Sequence, residues 1–208
     1  MQDALTRATY KIANTDLQRM TLSSEHLPQE FTAFELIREQ ELTNEAMANL
    51  PLSDHTAEEL RNLGRLAGYQ REWVTTIEDS LMNDNMDLVV ATVVHLLASP
   101  EAVSEWMTKV FLGEFMAKVD DNLESEHRLI SVEEIQLEGQ FYDQAVGVRA
   151  VQHGPKGLVS SSILDFRLGR LLGVAYVVTS GDQDRLGITE VLGKKLERQM
   201  VAVTVGLA

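Results

Sequence analysis

Five histidines, His26, His55, His95, His127 and His153, are the side chains of this 208-residue chain best suited to proton transfer or metal ligation. No two stand at the i, i+4 or other spacings that ligands use, so no metal site is expected. His95 lies in the most apolar stretch; a hydrogen-bonded core or sheet-edge imidazole is its first reading and a ligand or base its second. Gly181-Asp182-Gln183-Asp184 starts like a calcium loop but lacks the later glycine and bidentate glutamate, and helix capping accounts for it. The neighbours Asp120-Asp121 and Glu133-Glu134 are read as solvated acidic surface, because adjacent strand residues point to opposite faces. Ser160-Ser161-Ser162 has no Gly-x-Ser-x-Gly elbow and no local base. Gly154-Pro155-Lys156-Gly157 falls short of a phosphate loop and reads as a turn. No catalytic residue is assigned and no cofactor is expected.

The aromatic and methionine side chains offer a different chemistry. Trp73, Trp106, Phe111, Phe115, Phe141 and Tyr142, with Met82, Met86, Met107 and Met116, are the material of a core, and equally of an apolar cavity between a sheet and a helix. Core packing is the first reading. In the second, Trp73, Trp106, Phe111 and His95 are the ligand-contacting residues.

These groups must be carried by regular elements. Leu5, Ala8, Ile12 and Leu17 predict an N-terminal helix over 3–20. Phe34 to Arg38 is a short strand or extended connector after Pro28. Thr43 caps a short helix, and Asp54 or Thr56 caps another that ends at Gly64. Alternation from Tyr69 to Ile77 predicts a strand, Asn83-Asp84-Asn85 a turn, and Leu88 to Leu97 a strand covered on both faces. Ser99-Pro100-Glu101 opens a helix that should pack on the sheet with Ala102, Val103, Trp106, Val110 and Phe111. After the acidic segment Val119 to Glu126, strands are expected at Ile130–Val132, Ile135–Leu137 and Ala145–Val151. A hairpin then joins 159–166 to 171–179 through Arg167-Leu168-Gly169-Arg170. Asp182 or Asp184 caps a last helix with Leu186, Ile188, Val191, Leu192, Leu196 and Met200 at helical spacing; Gly187 and Gly193 each weaken it by about 1 kcal/mol.

Together these elements predict a single α+β domain, an antiparallel sheet with helices packed on it. Four prolines and thirteen glycines are spread too thinly to mark a linker. The order strand, turn, apolar strand, helix occurs twice, over 64–118 and 139–200, as a pseudo-duplicated unit would give.

With 32 acidic and 18 basic residues the net charge is -14, which disfavours nucleic acid and anionic lipid as partners. Residues 1–144 hold 27 acidic and 10 basic groups and residues 145–208 hold 5 and 8, so the C-terminal third is mildly basic. The chain has no cysteine, which removes disulfides and thiolate chemistry. Leu88 to Ala98, interrupted by Thr92 and His95, is far shorter than the roughly 20 residues of a membrane span. No leader is visible at Met1-Gln2-Asp3, and an exported protein whose leader had been removed would begin in the same way.

Leu27-Pro28-x-x-Phe31, Gly64-Arg65-Leu66-Ala67-Gly68-Tyr69 and Arg167-Leu168-Gly169-Arg170-Leu171 before Val174-Ala175-Tyr176-Val177-Val178 resemble short stretches of uncharacterised bacterial exported or lipid-anchored soluble domains. The order of elements over 25–200 is similar to the PsbP/Mog1-like architecture. That resemblance implies an extracytoplasmic, non-enzymatic binding or accessory role, with a protein or a small apolar molecule as partner, and brings no catalytic residues. The alternatives are a hydrolase or isomerase whose site forms only in the fold, such as His95 with a distant carboxylate, and a homodimeric interaction module.

Overall fold

The computed structural model describes residues 2–50, 55–76, 85–117, 119, 128–154 and 157–208. Its centre is the strand predicted to be covered on both faces, the third of seven: β1 (Glu35–Glu41), β2 (Arg65–Val74), β3 (Asp87–Leu97), β4 (Arg128–Ile135), β5 (Ala145–Gly154), β6 (Gly157–Leu168) and β7 (Leu171–Ser180). They form one antiparallel sheet in the order β1-β2-β3-β7-β6-β5-β4, so the two apolar strands β3 and β7 lie side by side. The helices are α1 (Gln2–Thr9), α2 (Leu17–Met20), α3 (Asn44–Ala48), α4 (Ala57–Asn62), α5 (Pro100–Glu105), α6 (Glu114–Ala117) and α7 (Leu186–Thr204). The fold is α+β.

Local chemistry explains where these elements begin. The Thr43, Thr56 and Ser99 hydroxyls accept from the backbone N–H of Ala46, Glu59 and Ala102, each satisfying a donor that the first helical turn leaves open. In the β6–β7 hairpin Leu168 pairs with Leu171, and Gly169 takes φ +57°, a conformation that costs glycine little. Asp184 stands one residue before Arg185, the N-cap of α7, and its carboxylate accepts from the Leu186 N–H at 2.8 Å.

The sheet is covered on both sides. On one, α7 lays Leu192, Leu196 and Met200 against Val90, Val94, Leu164, Phe166, Ala175 and Val177, and the N-terminal segment adds Leu17, Met20 and Phe31. Gly193 lets α7 approach β6 closely: a β-carbon there would stand 2.1 Å from Leu164 Cδ2. On the other side Leu60, Val103, Trp106 and Met107 pack on Leu97 and Leu172. The helices that follow β3 and β7 therefore cover opposite faces.

Three expectations need correction. The N-terminal helix over 3–20 is broken after Thr9, because the Arg170 guanidinium takes the Thr9 and Ile12 carbonyls at 3.1 Å that a continued helix would use. Arg128–Ile135 form one strand in place of two, and Gln136-Leu137 lie beyond its end. The helix opened by Ser99 turns into a π-helix over Trp106–Gly113. Asn83-Asp84, most of the acidic segment and Pro155-Lys156 lie outside the described residues.

Candidate functional site

The face opposite α7 is incompletely filled. Between α3, the π-helix and strands β1, β2, β3, β6 and β7 lies a cavity of about 380 Å3, within the range of small-molecule sites. Its apolar wall includes Met47, Val93, Trp106, Phe111 and Val174; its polar groups are Arg38, Gln70, Glu72, His95, Asp165 and Tyr176. The π-helix explains how Trp106 and Phe111 share that wall. In an α-helix, side chains five residues apart diverge by about 140° around the axis. Hydrogen bonding from i to i+5 brings the fifth residue back over the first.

Strand alternation supplies the polar groups. Glu72 pairs with Ala91, Val93 with Val174, and Asp165 with Val174, so side chains from four adjacent strands converge on one face. The Glu72 carboxylate accepts from Tyr176 Oη at 2.9 Å, Gln70 Nε2 at 3.1 Å and Arg38 Nη1 at 3.4 Å. Tyr176 is thereby held as a phenol, its ionisation pushed up by burial and by Glu72.

His95 is governed from behind. Arg65 Nε and Nη2 each lie 3.2 Å from His95 Nδ1, and Gly68 keeps the approach clear: a β-carbon there would sit 2.6 Å from Arg65 Nη2 and 2.8 Å from Nδ1. A guanidinium only donates, so Nδ1 must accept and the ring proton must sit on Nε2. Burial, and then the Arg65 charge, hold the imidazole pKa well below its ordinary value. Trp106 flanks the ring with centroids 6.0 Å apart.

Asp165 is the anomaly. It is 1% exposed, its Oδ1 has no hydrogen-bond partner among the described residues, and burial raises its carboxyl well above the usual range, which favours the neutral acid. Buried polar groups are nearly always paired, and an unpaired one lining a cavity marks a functional position.

Of the four residues singled out by sequence, the structure brings His95, Trp106 and Phe111 together and places Trp73 elsewhere. Trp73 pairs with Val90, and the pleat turns both toward α7, where its indole N–H donates to Ser24 Oγ at 2.9 Å. Sequence reasoning missed Asp165, Glu72, Tyr176 and Arg65. A readable signal existed for Asp165 alone, a carboxylate inside the apolar run Ile163-Leu164-Asp165-Phe166. Met82 and the Phe115 side chain lie outside the described residues.

A larger groove of about 570 Å3 runs along α7, where Glu190 accepts from the N–H of Glu138 and Gly139, Lys194 meets Gln140 O and Glu197, and Lys195 donates to His26 O. Among the described residues no cluster of three His, Asp or Glu could hold a metal ion, and no helix is long and apolar enough to cross a membrane.

A seven-stranded antiparallel sheet covered on both faces, with a cavity on one of them, is the class that fold and site define. No known protein family matches the chain, and no curated protein is detectably similar in sequence. Among solved structures it is similar to the extracellular domain of PknH from Mycobacterium tuberculosis, with a TM-score of 0.58 and 9% identity over 90% of this chain and 97% of that one. At that identity the likeness is one of fold.

Proposed function

We propose that this chain is a non-catalytic binding domain that acts outside the cytoplasm and holds a small molecule in the cavity beside β3, β7 and β6. The observation that carries the reading is Asp165, a buried carboxyl whose Oδ1 has no partner among the described residues, in a cavity whose other carboxyl, Glu72, is held by three donors. An occupant would give it one. The extracytoplasmic part draws support from the fold shared with an extracellular domain and from the resemblance to exported domains.

Native mass spectrometry of gently purified protein, before and after organic extraction, tests the reading. A discrete co-purifying mass that extraction removes, and that is missing from Trp106→Ala and Asp165→Leu, is the expected result. A clean apoprotein mass in every sample would overturn it. The same spectrum reads association through the edge strand β1, which is exposed throughout and carries Leu36 and Ile37.

A catalytic reading, hydrolase or isomerase, draws on the same cavity, since it gathers His95 and two carboxyls. Against it, His95 carries its proton on Nε2, has its other nitrogen engaged by Arg65 and is a weak base, while Glu72 is occupied by three donors.

A further inference from the structure

Arg65 is wholly buried, and its guanidinium meets only neutral acceptors: the Leu42 carbonyl at 2.8 Å, Asn44 Oδ1 at 2.7 Å and His95 Nδ1. Among the described residues no carboxylate reaches it. A buried cation without a counter-charge is costly, and such charges are normally paired. Its field passes through the one polarisable group between it and the cavity, the His95 ring, whose Nε2–H becomes a stronger donor because a cation binds the opposite nitrogen. No acceptor among the described residues meets that Nε2–H.

The free ring atom of His95 is therefore a donor. His95 offers Nε2–H, and Asp165, whose neutral form burial favours, stands across β7 from it, the two strands flanking β7 beside Leu172 and Val174. Charge points the same way. Arg65, with no carboxylate partner among the described residues, places an uncompensated positive charge behind His95, while Arg38 and Glu72 offset one another at 3.4 Å. An ammonium head would meet donors and positive charge; an anionic oxygen would meet what it needs.

We propose that the cavity takes an amphipathic carboxylic acid, with its carboxylate accepting from His95 Nε2–H, a further ligand oxygen accepting from Asp165, and its apolar part against Trp106 and Phe111. This rests on reading the cavity as a ligand site. The bound carboxylate is then the counter-charge of Arg65, one imidazole away, and Arg65 and Gly68 are positioning residues for the His95 donor.

Calorimetric titration of the full chain with octanoate, octanol and octylammonium separates the two readings. Octanoate is expected to bind about tenfold or more tighter than either other probe, the advantage of a hydrogen bond to a charged group. His95→Phe and Gly68→Ala are expected to bring octanoate affinity down to that of octanol measured on the same variant. Equal affinities, or octylammonium ahead, would overturn the carboxylate proposal and leave the ligand site standing; no heat from any probe would overturn both. A readout independent of variants is the 15N spectrum of His95. Nε2 is expected to be protonated in the free protein, and its proton to move downfield with octanoate but not octanol. A proton on Nδ1, or no movement, would sink the proposal.

Discussion

The two faces of the sheet are built from the same strands and meet opposite requirements. On the α7 side the large side chains Trp73, Leu164 and Phe166 are sealed, and the indole N–H has its acceptor; in the central strands the buried atom left without a partner there is a neutral hydroxyl, Thr92 Oγ1. On the cavity side a carboxyl is left without one, and a guanidinium is buried against neutral groups. The first face serves stability. The second retains polar groups whose burial opposes folding, as positions kept for function do.

The comparison breaks first at Trp73. Trp73→Ala should destabilise the protein by about 3–5 kcal/mol in urea unfolding, through loss of transfer energy and an unfilled cavity, without changing which molecules the cavity prefers. A small loss would mean that the α7 face is loosely packed and the contrast false. Gly193→Ala tests the same face by overfilling. Its β-carbon collides with Leu164 and should cost about 1–3 kcal/mol, although alanine is the better helix former.

Asp165→Leu should produce an effect of similar size and opposite sign, about 1–3 kcal/mol of added stability, because it removes a buried group without a partner, while binding is lost. The pH dependence sharpens this test. The Asp165 pKa is raised in the folded state, so its contribution is fully favourable below the unfolded carboxylate range and is lost as pH rises through the folded value. Wild-type stability should therefore decline over that interval, and Asp165→Leu should flatten the decline. An unchanged slope would mean that Asp165 is not the group that titrates. Smallest of all, Phe111→Ala, half-buried at the cavity wall, should cost about 1 kcal/mol or less by thermal melting and yet weaken ligand binding.

Much of this frame was legible in the sequence because its signals are local. The caps at Thr43, Thr56 and Ser99, the Gly169 hairpin and the apolar run of β3 each depend on a few neighbouring residues. What failed depends on partners far along the chain. Alternation separates Trp73 from Glu72, but only the pairing of Gly68 with His95 and Trp73 with Val90 says which of them looks into the cavity. The break after Thr9 is made by Arg170, and Gly193, a liability in an isolated helix, is where Leu164 enters. Arg65 carries no local mark at all, since its role exists only through His95, thirty positions away.

The π-helix between Trp106 and Gly113 has a genetic consequence. Removing one codon between Trp106 and Phe111 would leave the two aromatic residues four apart, a spacing at which ordinary α-helical winding keeps them on one face, whereas α-helical winding of the present five-residue spacing would turn Phe111 about 140° from Trp106. Among chains of this fold, the spacing of these two aromatic residues and the winding between them should therefore change together, five residues with a π-helix and four with an α-helix.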